Sequence, residues 1–111
     1  MNTYKPRPAW GSEPWQNWDK NLFPLGIVLT TPGIIRLLEE HGASTDALQP
    51  FLNRHQCGDW GALDDEDKAE NTLSIEKGFR ILSAYHLYGQ KIWIITEADR
   101  SATTVLLPSE Y

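Results

Sequence analysis

Apolar positions along this chain recur in two rhythms, and the change between them divides it into elements. Phe23 to Thr30 (Phe-Pro-Leu-Gly-Ile-Val-Leu-Thr) is a short, nearly continuous apolar run that predicts a strand, with Pro24 and Gly26 marking an edge or a bulge. Ile34, Ile35, Leu37 and Leu38 then fall at helical spacing. Thr31 precedes them as a natural N-cap, Pro32 takes the first helical position, and Gly42 is placed to cap the C-terminus. A second, shorter helix begins at Ser44 or Thr45 and turns Leu48, Phe51 and Leu52 inward. Pro50 falls within its first turns or divides it. Asp64 caps a third helix over about residues 65–77, ended by Gly78. Its apolar positions (Ala69, Leu73, Ile75) are few, which predicts a half-exposed element.

From Phe79 to Leu107 the rhythm becomes that of strands, and the segment predicts a three-stranded antiparallel meander. Gly89-Gln90 suits a two-residue hairpin turn. That register sets Leu87 opposite Ile92, Tyr85 opposite Ile94 and Ser83 opposite Thr96 on one face, and His86, Ala84 and Leu82 opposite Trp93, Ile95 and Glu97 on the other. Both faces of the second meander strand are substantially apolar, so it is expected to be central and covered on both sides. The fold class is α+β: a meander at about 79–107 plus a short N-terminal strand, packed with two to three helices. Residues 1–20 hold three prolines and three tryptophans (Trp10, Trp15, Trp18) without periodicity and read as an irregular arm. Its tryptophans are expected to pack on the domain or on a partner. Residues 21–111 form a single α+β domain.

Charge sharpens this picture in one place. The net charge is −5, and the window Asp59–Glu70 carries six acidic residues against Lys68 alone, so the remainder is balanced. The plain reading is a helix start, where carboxylates favour the dipole. The sharper one is a patch of Asp64, Asp65 and Asp67 that meets a basic protein partner. Without clustered Lys and Arg, direct nucleic-acid binding is not expected. No apolar run is long enough to cross a bilayer. Lys5 and Arg7, followed by Pro and Trp, do not make a signal peptide, and the single Cys57 fits a reducing cytosol; the expected location is cytoplasmic.

Three groups of residues carry candidate chemistry. Glu97, Asp99 and Arg100 crowd the second meander turn. They read either as a local turn with a surface pair or as a site in which Arg100 orients an anion, with Thr103 beside it. His55, Cys57 and Asp59 include zinc-ligand types, but the second half of a metal site is missing, and neither a metal nor another cofactor is implied. His55 as a base oriented by Asp59 is chemically possible, and a helix-end histidine hydrogen-bonded to backbone is the ordinary case. Arg80 points to the face opposite Ser83 and Tyr85, so these do not form one cluster. No nucleophile elbow, phosphate loop, HExxH or dinucleotide fingerprint is present. Catalytic candidates are thus His55, Asp59, Glu97, Asp99 and Arg100; binding candidates are Trp60, Asp64, Asp65, Asp67, Arg80, Glu97, Arg100 and Thr103.

The run from Arg54-His55 through Gly58-Asp59-Trp60-Gly61 to Thr96-Glu97-Ala98-Asp99-Arg100-Ser101-Ala102-Thr103-Thr104-Val105-Leu106-Leu107-Pro108-Ser109-Glu110-Tyr111 resembles a family of small uncharacterised bacterial "plasmid-related" proteins. The resemblance covers roughly residues 23–111 and leaves the arm outside. Phe51-Leu52-Asn53 belongs to a longer segment than the family has there. It implies a bacterial cytosolic setting tied to plasmids or integrated mobile elements. The family has no established activity, so no catalytic residue carries over. The leading expectation is a non-enzymatic protein-interaction module that modulates a host defence or nucleic-acid-processing protein, with homo-oligomer formation left open. The alternative is a small hydrolase or nuclease acting on a phosphorylated substrate through Glu97, His55 and Arg100.

Overall fold

The computed structural model describes residues 21–111; the arm expected at residues 1–20 lies outside them. The element order is β1 (Ile27–Thr30), α1 (Pro32–Glu40), a 3-10 turn (Thr45–Leu48), α2 (Gln49–Gln56), α3 (Asp65–Lys77), β2 (Ile81–Leu87), β3 (Gln90–Thr96), β4 (Ala102–Leu106) and a last 3-10 turn (Pro108–Glu110). The class is α+β. The N-terminal strand does not stand apart from the meander: it joins β4 in parallel, giving a four-stranded mixed sheet in the order β1-β4-β3-β2. β3 is central, as its two apolar faces predict.

The first hairpin turns at Tyr88-Gly89, one residue earlier than its sequence signal. Leu87 pairs with Gln90, Tyr85 with Ile92 and Ser83 with Ile94. Both turn residues have positive φ (54° and 78°), as a type I′ turn requires, and Tyr88 tolerates it while its ring stacks on His41 at 4.1 Å. The pairing moves by two residues, so every side chain keeps its expected face.

The face carrying Ser83, Tyr85, Ile92, Ile94, Thr96, Thr103 and Val105 is covered by helices. Ile34 and Leu38 of α1, Leu48, and Leu52 of α2 close over Tyr85, Leu87, Ile92, Ile94 and Val105. Removing each such side chain from water contributes about 1.5–3 kcal/mol. That outweighs the poor intrinsic stability of an eight-residue helix with Pro50 in its first turn. Phe23, Trp60 and Ile81 make a smaller adjoining cluster. On the opposite face Ala84, Ile95 and Leu106 are buried outside both clusters.

α3 begins and ends where its caps predict. Asp64 accepts from the Asp67 amide at 2.8 Å, and Gly78 is left-handed. Its buried residues are polar, however, and Leu73 is exposed. The Asn71 side chain takes both backbone groups of Leu82, donating to its carbonyl (2.5 Å) and accepting from its amide (3.1 Å). Two residues along, the Trp60 carbonyl accepts from Ala84 N–H and the Ala62 amide donates to Ala84 O. Gly61 bridges there so closely that a Cβ would lie 1.9 Å from the Ala84 carbonyl. These contacts occupy the outer edge of β2.

The N-terminus of α1 is capped from a distance. Thr31 makes no side-chain cap; its hydroxyl donates to Glu110 instead (2.5 Å), while Glu110 also accepts from the amides of Gly33 (2.8 Å) and Leu107 (2.9 Å). A carboxylate at this position satisfies an orphan amide and meets the positive end of the helix. The Thr31 hydroxyl and these amides hold its pKa below the usual value. Glu110→Ala is expected to cost about 1 kcal/mol, as loss of an N-cap does, and to lower the melting temperature by a few degrees. Unchanged melting would mean that this latch holds nothing.

Candidate functional site

The residues singled out by the sequence divide into a sealed polar wire, a clamp and an exposed cluster. The wire starts at His55, which α2 drives into the core: it is 0 % exposed, packed between Phe23 and Trp60. Alternation along the strands turns Ser83, Thr96 and Thr103 toward it, and all three are also 0 % exposed. His55 Nδ1 meets Ser83 Oγ, and Nε2 meets Thr96 Oγ1 at 2.8 Å. Thr96 Oγ1 then meets Thr103 Oγ1 at 2.7 Å, and Thr103 Oγ1 donates to the Leu25 carbonyl at 2.8 Å.

Donor counting fixes every proton. Thr103 must donate to the carbonyl, so its oxygen accepts from the Thr96 hydroxyl. The Thr96 oxygen then accepts from Nε2–H, and the bare Nδ1 accepts from Ser83. His55 is therefore the neutral Nε2–H tautomer. Burial, with Arg100 as a lesser cause, pushes its pKa down to about 3. A histidine with both nitrogens engaged and no exposed surface stabilises the core; it offers no face to a substrate.

Arg100 is the clamp. It sits in the left-handed region (φ 61°), a costly conformation for a side-chain-bearing residue. Its guanidinium offsets that cost by donating to the carbonyls of Phe79 (2.7 Å), Glu97 (3.0 Å), Ala98 (3.2 Å) and Ser74 (2.9 Å). It thereby joins the end of α3, the approach to β2 and the β3–β4 turn. Burial lowers its pKa. Asp99 completes the turn by accepting from Ser101, whose hydroxyl and amide lower the carboxyl pKa.

The remaining candidates are placed apart. Asp59 pairs with Arg54 (2.7 Å) and accepts from Gly61 N–H, and Arg54 lies over the Tyr85 ring. It faces Arg54, so it does not orient His55. Trp60 is buried beside Phe23, which makes it part of the core. Asp64, Asp65 and Asp67 are exposed in the first turn of α3. Among the described residues no three of His, Cys, Asp and Glu gather as metal ligands. No helix among them is long and apolar enough to cross a membrane.

Glu97 and Arg80 do come together, on the face opposite the wire. The alternation that turns Thr96 toward His55 turns Glu97 away, so the two proposed bases stand on opposite sides of the sheet. Arg80 Nε lies 3.7 Å from Glu97, and both side chains are about half exposed (48 % and 46 %). The same guanidinium lies over the Tyr111 ring and donates to its hydroxyl at 3.0 Å, while Tyr111 stands edge-on to Trp93, centroids 5.6 Å apart. Trp93 and Tyr111 were not legible as site residues: the meander register places Trp93 on the outer face, but nothing local brings residue 111 beside it. The signal that did exist for the wire was polar residues at inward-facing positions of β2, β3 and β4.

Thr103→Val, nearly isosteric, orphans both the Leu25 carbonyl and the Thr96 proton and is expected to cost about 1–3 kcal/mol in urea unfolding; a cost near zero would break the proton assignment. The depressed pKa of His55 stabilises the fold fully above its unfolded value near 6.5. That contribution is lost as pH falls toward 3, by up to about 1.4 kcal/mol per unit. Urea titrations between pH 7 and 4 should show the decline, and His55→Leu should flatten it; equal slopes in both proteins would assign the acid sensitivity elsewhere. Comparison of the chain with protein-family models, curated proteins and solved structures returns no match.

Proposed function

We propose that this chain is a non-enzymatic protein-interaction module of a bacterial plasmid or mobile element, and that its partner docks on the sheet face opposite α1 and α2. The observation that supports this most is the Arg80–Glu97–Trp93–Tyr111 cluster. Arg, Trp and Tyr are the residue types that anchor protein interfaces. Here Arg80 and Glu97 are half exposed, Tyr111 is 68 % exposed and Phe79, next to Arg80, is 55 % exposed. The contacts among Arg80, Tyr111 and Trp93 order these side chains before a partner arrives, which reduces the entropy lost on binding.

The partner is a protein with a basic surface, and a host defence or nucleic-acid-processing protein fits that chemistry. The acidic first turn of α3 supports this, since the exposed carboxylates of Asp65 and Asp67 add to the charge of the capping Asp64. α3 is 13 residues long, about 20 Å. Its acidic start is therefore remote from Phe79 and Arg80 beyond its other end, and acts through long-range attraction rather than contact. The hydrolase reading draws less support. It requires Glu97, His55 and Arg100 around one reachable point, whereas His55 is sealed and Arg100 is bound to four carbonyls.

Affinity capture from a bacterial lysate tests the proposal. Wild type should retain one stoichiometric protein, lost with the Arg80→Glu/Tyr111→Ala variant at unchanged melting temperature. Reversal of Asp65 and Asp67 to Lys, which keeps the Asp64 cap, should slow association and weaken its dependence on salt. Equal capture by the Arg80/Tyr111 variant would remove this face from the reading.

A further inference from the structure

The two edges of the sheet are treated differently. At the β2 edge, Leu82 is occupied through both backbone groups by Asn71, and Ala84 by Trp60 and Ala62. At the β1 edge the described residues supply no such cover. Ile27 N–H donates to Ser101 O (3.0 Å) and Thr31 N–H to Val105 O (3.2 Å), so residues 27, 29 and 31 turn their backbone toward β4. Val28 and Thr30, between them, turn their N–H and C=O groups outward. Among the described residues none of these four groups has a backbone partner.

The strand's side chains are open as well: Ile27 is 66 % exposed, Val28 42 % and Leu29 48 %. Sheet proteins ordinarily blunt such an edge with an inward charge, a lysine, a proline or a bulge. Ile27–Thr30 contains none of these, and no residue from Leu25 to Thr31 is charged. An edge of this kind takes an extended strand.

We propose that the occupant is β1 of a second copy, paired antiparallel about a two-fold axis through Leu29. In that register Val28 lies opposite the second copy's Thr30 and Thr30 opposite its Val28. Each pair exchanges two N–H···O bonds, so the outward groups of both strands are all satisfied. Leu29 meets its own copy as a close, non-hydrogen-bonded pair on the open face, flanked by both Ile27 side chains. The contact is isologous and closes on itself, joining two four-stranded sheets into one of eight strands.

Charge, which opposes pairing of two copies through β2, opposes it least at this edge. Each copy carries −5, concentrated around the start of α3, and α3 packs beside β2 at the opposite edge of the sheet. Pairing through β1 separates the two β2 strands by seven strand spacings of about 4.8 Å. The acidic regions then stand several Debye lengths (about 8 Å each) apart. Pairing through β2 would bring them together. The contact is short, below the area of a standard interface, so the dimer is expected to be a weak one, formed in the micromolar range or above.

Sedimentation over about 5–500 µM, a range spanning weak association, should show the mass rising from monomer toward dimer. Leu29→Lys, which sets two ammonium groups face to face, should leave a monomer that melts normally. Val28→Pro should do the same, because the amide it removes is not used by β4. Leu29→Cys should form a Leu29-position cross-link between copies under mild oxidation, identified by peptide mass, while Val28→Cys should not. A monomer at every concentration with no such cross-link overturns the proposal and leaves the edge to an extended segment of another protein. A dimer that survives Leu29→Lys unchanged overturns it in favour of another surface. Neither result bears on the Arg80–Tyr111 face, which is read out by capture.

Discussion

The hydrogen-bonded wire from Ser83 through His55, Thr96 and Thr103 to the Leu25 carbonyl is the constraint around which the rest of this domain is arranged. It takes one group from β2, one from α2, one from β3, one from β4 and one from the segment that leads into β1. Four polar side chains without exposure would be very costly if any were unpaired. Because each proton has one acceptor, the wire is satisfied in a single arrangement. A register slip of one residue in β3 would put Ile95 or Glu97 in the place of Thr96, leaving the imidazole N–H without an acceptor or burying a carboxylate against it. Apolar packing drives collapse, while the wire selects which collapsed arrangement persists.

The charged residues that look most like chemistry are mostly engaged in the same work. Arg100 holds three chain segments by their carbonyls, Asp99 closes the turn beside it, Asp59 pairs with Arg54, and Glu110 caps α1. Each is a polar group satisfying backbone that the fold leaves without a partner. Among the described residues, the Arg80–Glu97–Trp93–Tyr111 cluster and the outer edge of β1 are surface places with capacity to spare. The first has the side-chain types of a protein interface, and the second has the backbone groups of an unfinished sheet. One lies on the sheet's outer face and the other at its edge, so a partner and a second copy need not compete.

Much of the fold was legible in local chemistry. α3 starts at Asp64 and stops at Gly78 because capping depends on residues within one turn. The centrality of β3 follows from alternation alone, since both of its faces are apolar. The hairpin turn lies one residue before its sequence signal because Gly89 supplies positive φ at either turn position, and Tyr88, stacked on His41, takes the other. Side-chain faces survived the error because the period of a strand is two.

The sequence by itself determined the class, the caps of α3, the faces and the candidates, all of which rest on interactions between residues a few positions apart. Only the tertiary structure decided that β1 joins β4, that His55 is sealed, that Arg100 is a clamp, and that Glu110 caps a helix 77 residues earlier. Each of these joins groups distant in the chain, and a polar residue's type does not reveal whether its partner will be backbone, solvent or another protein. Arg80 and Arg100 carry the same charge and the same donors. One is half exposed beside Glu97 and Tyr111, the other bound to four carbonyls, because the sheet turns them toward different surroundings.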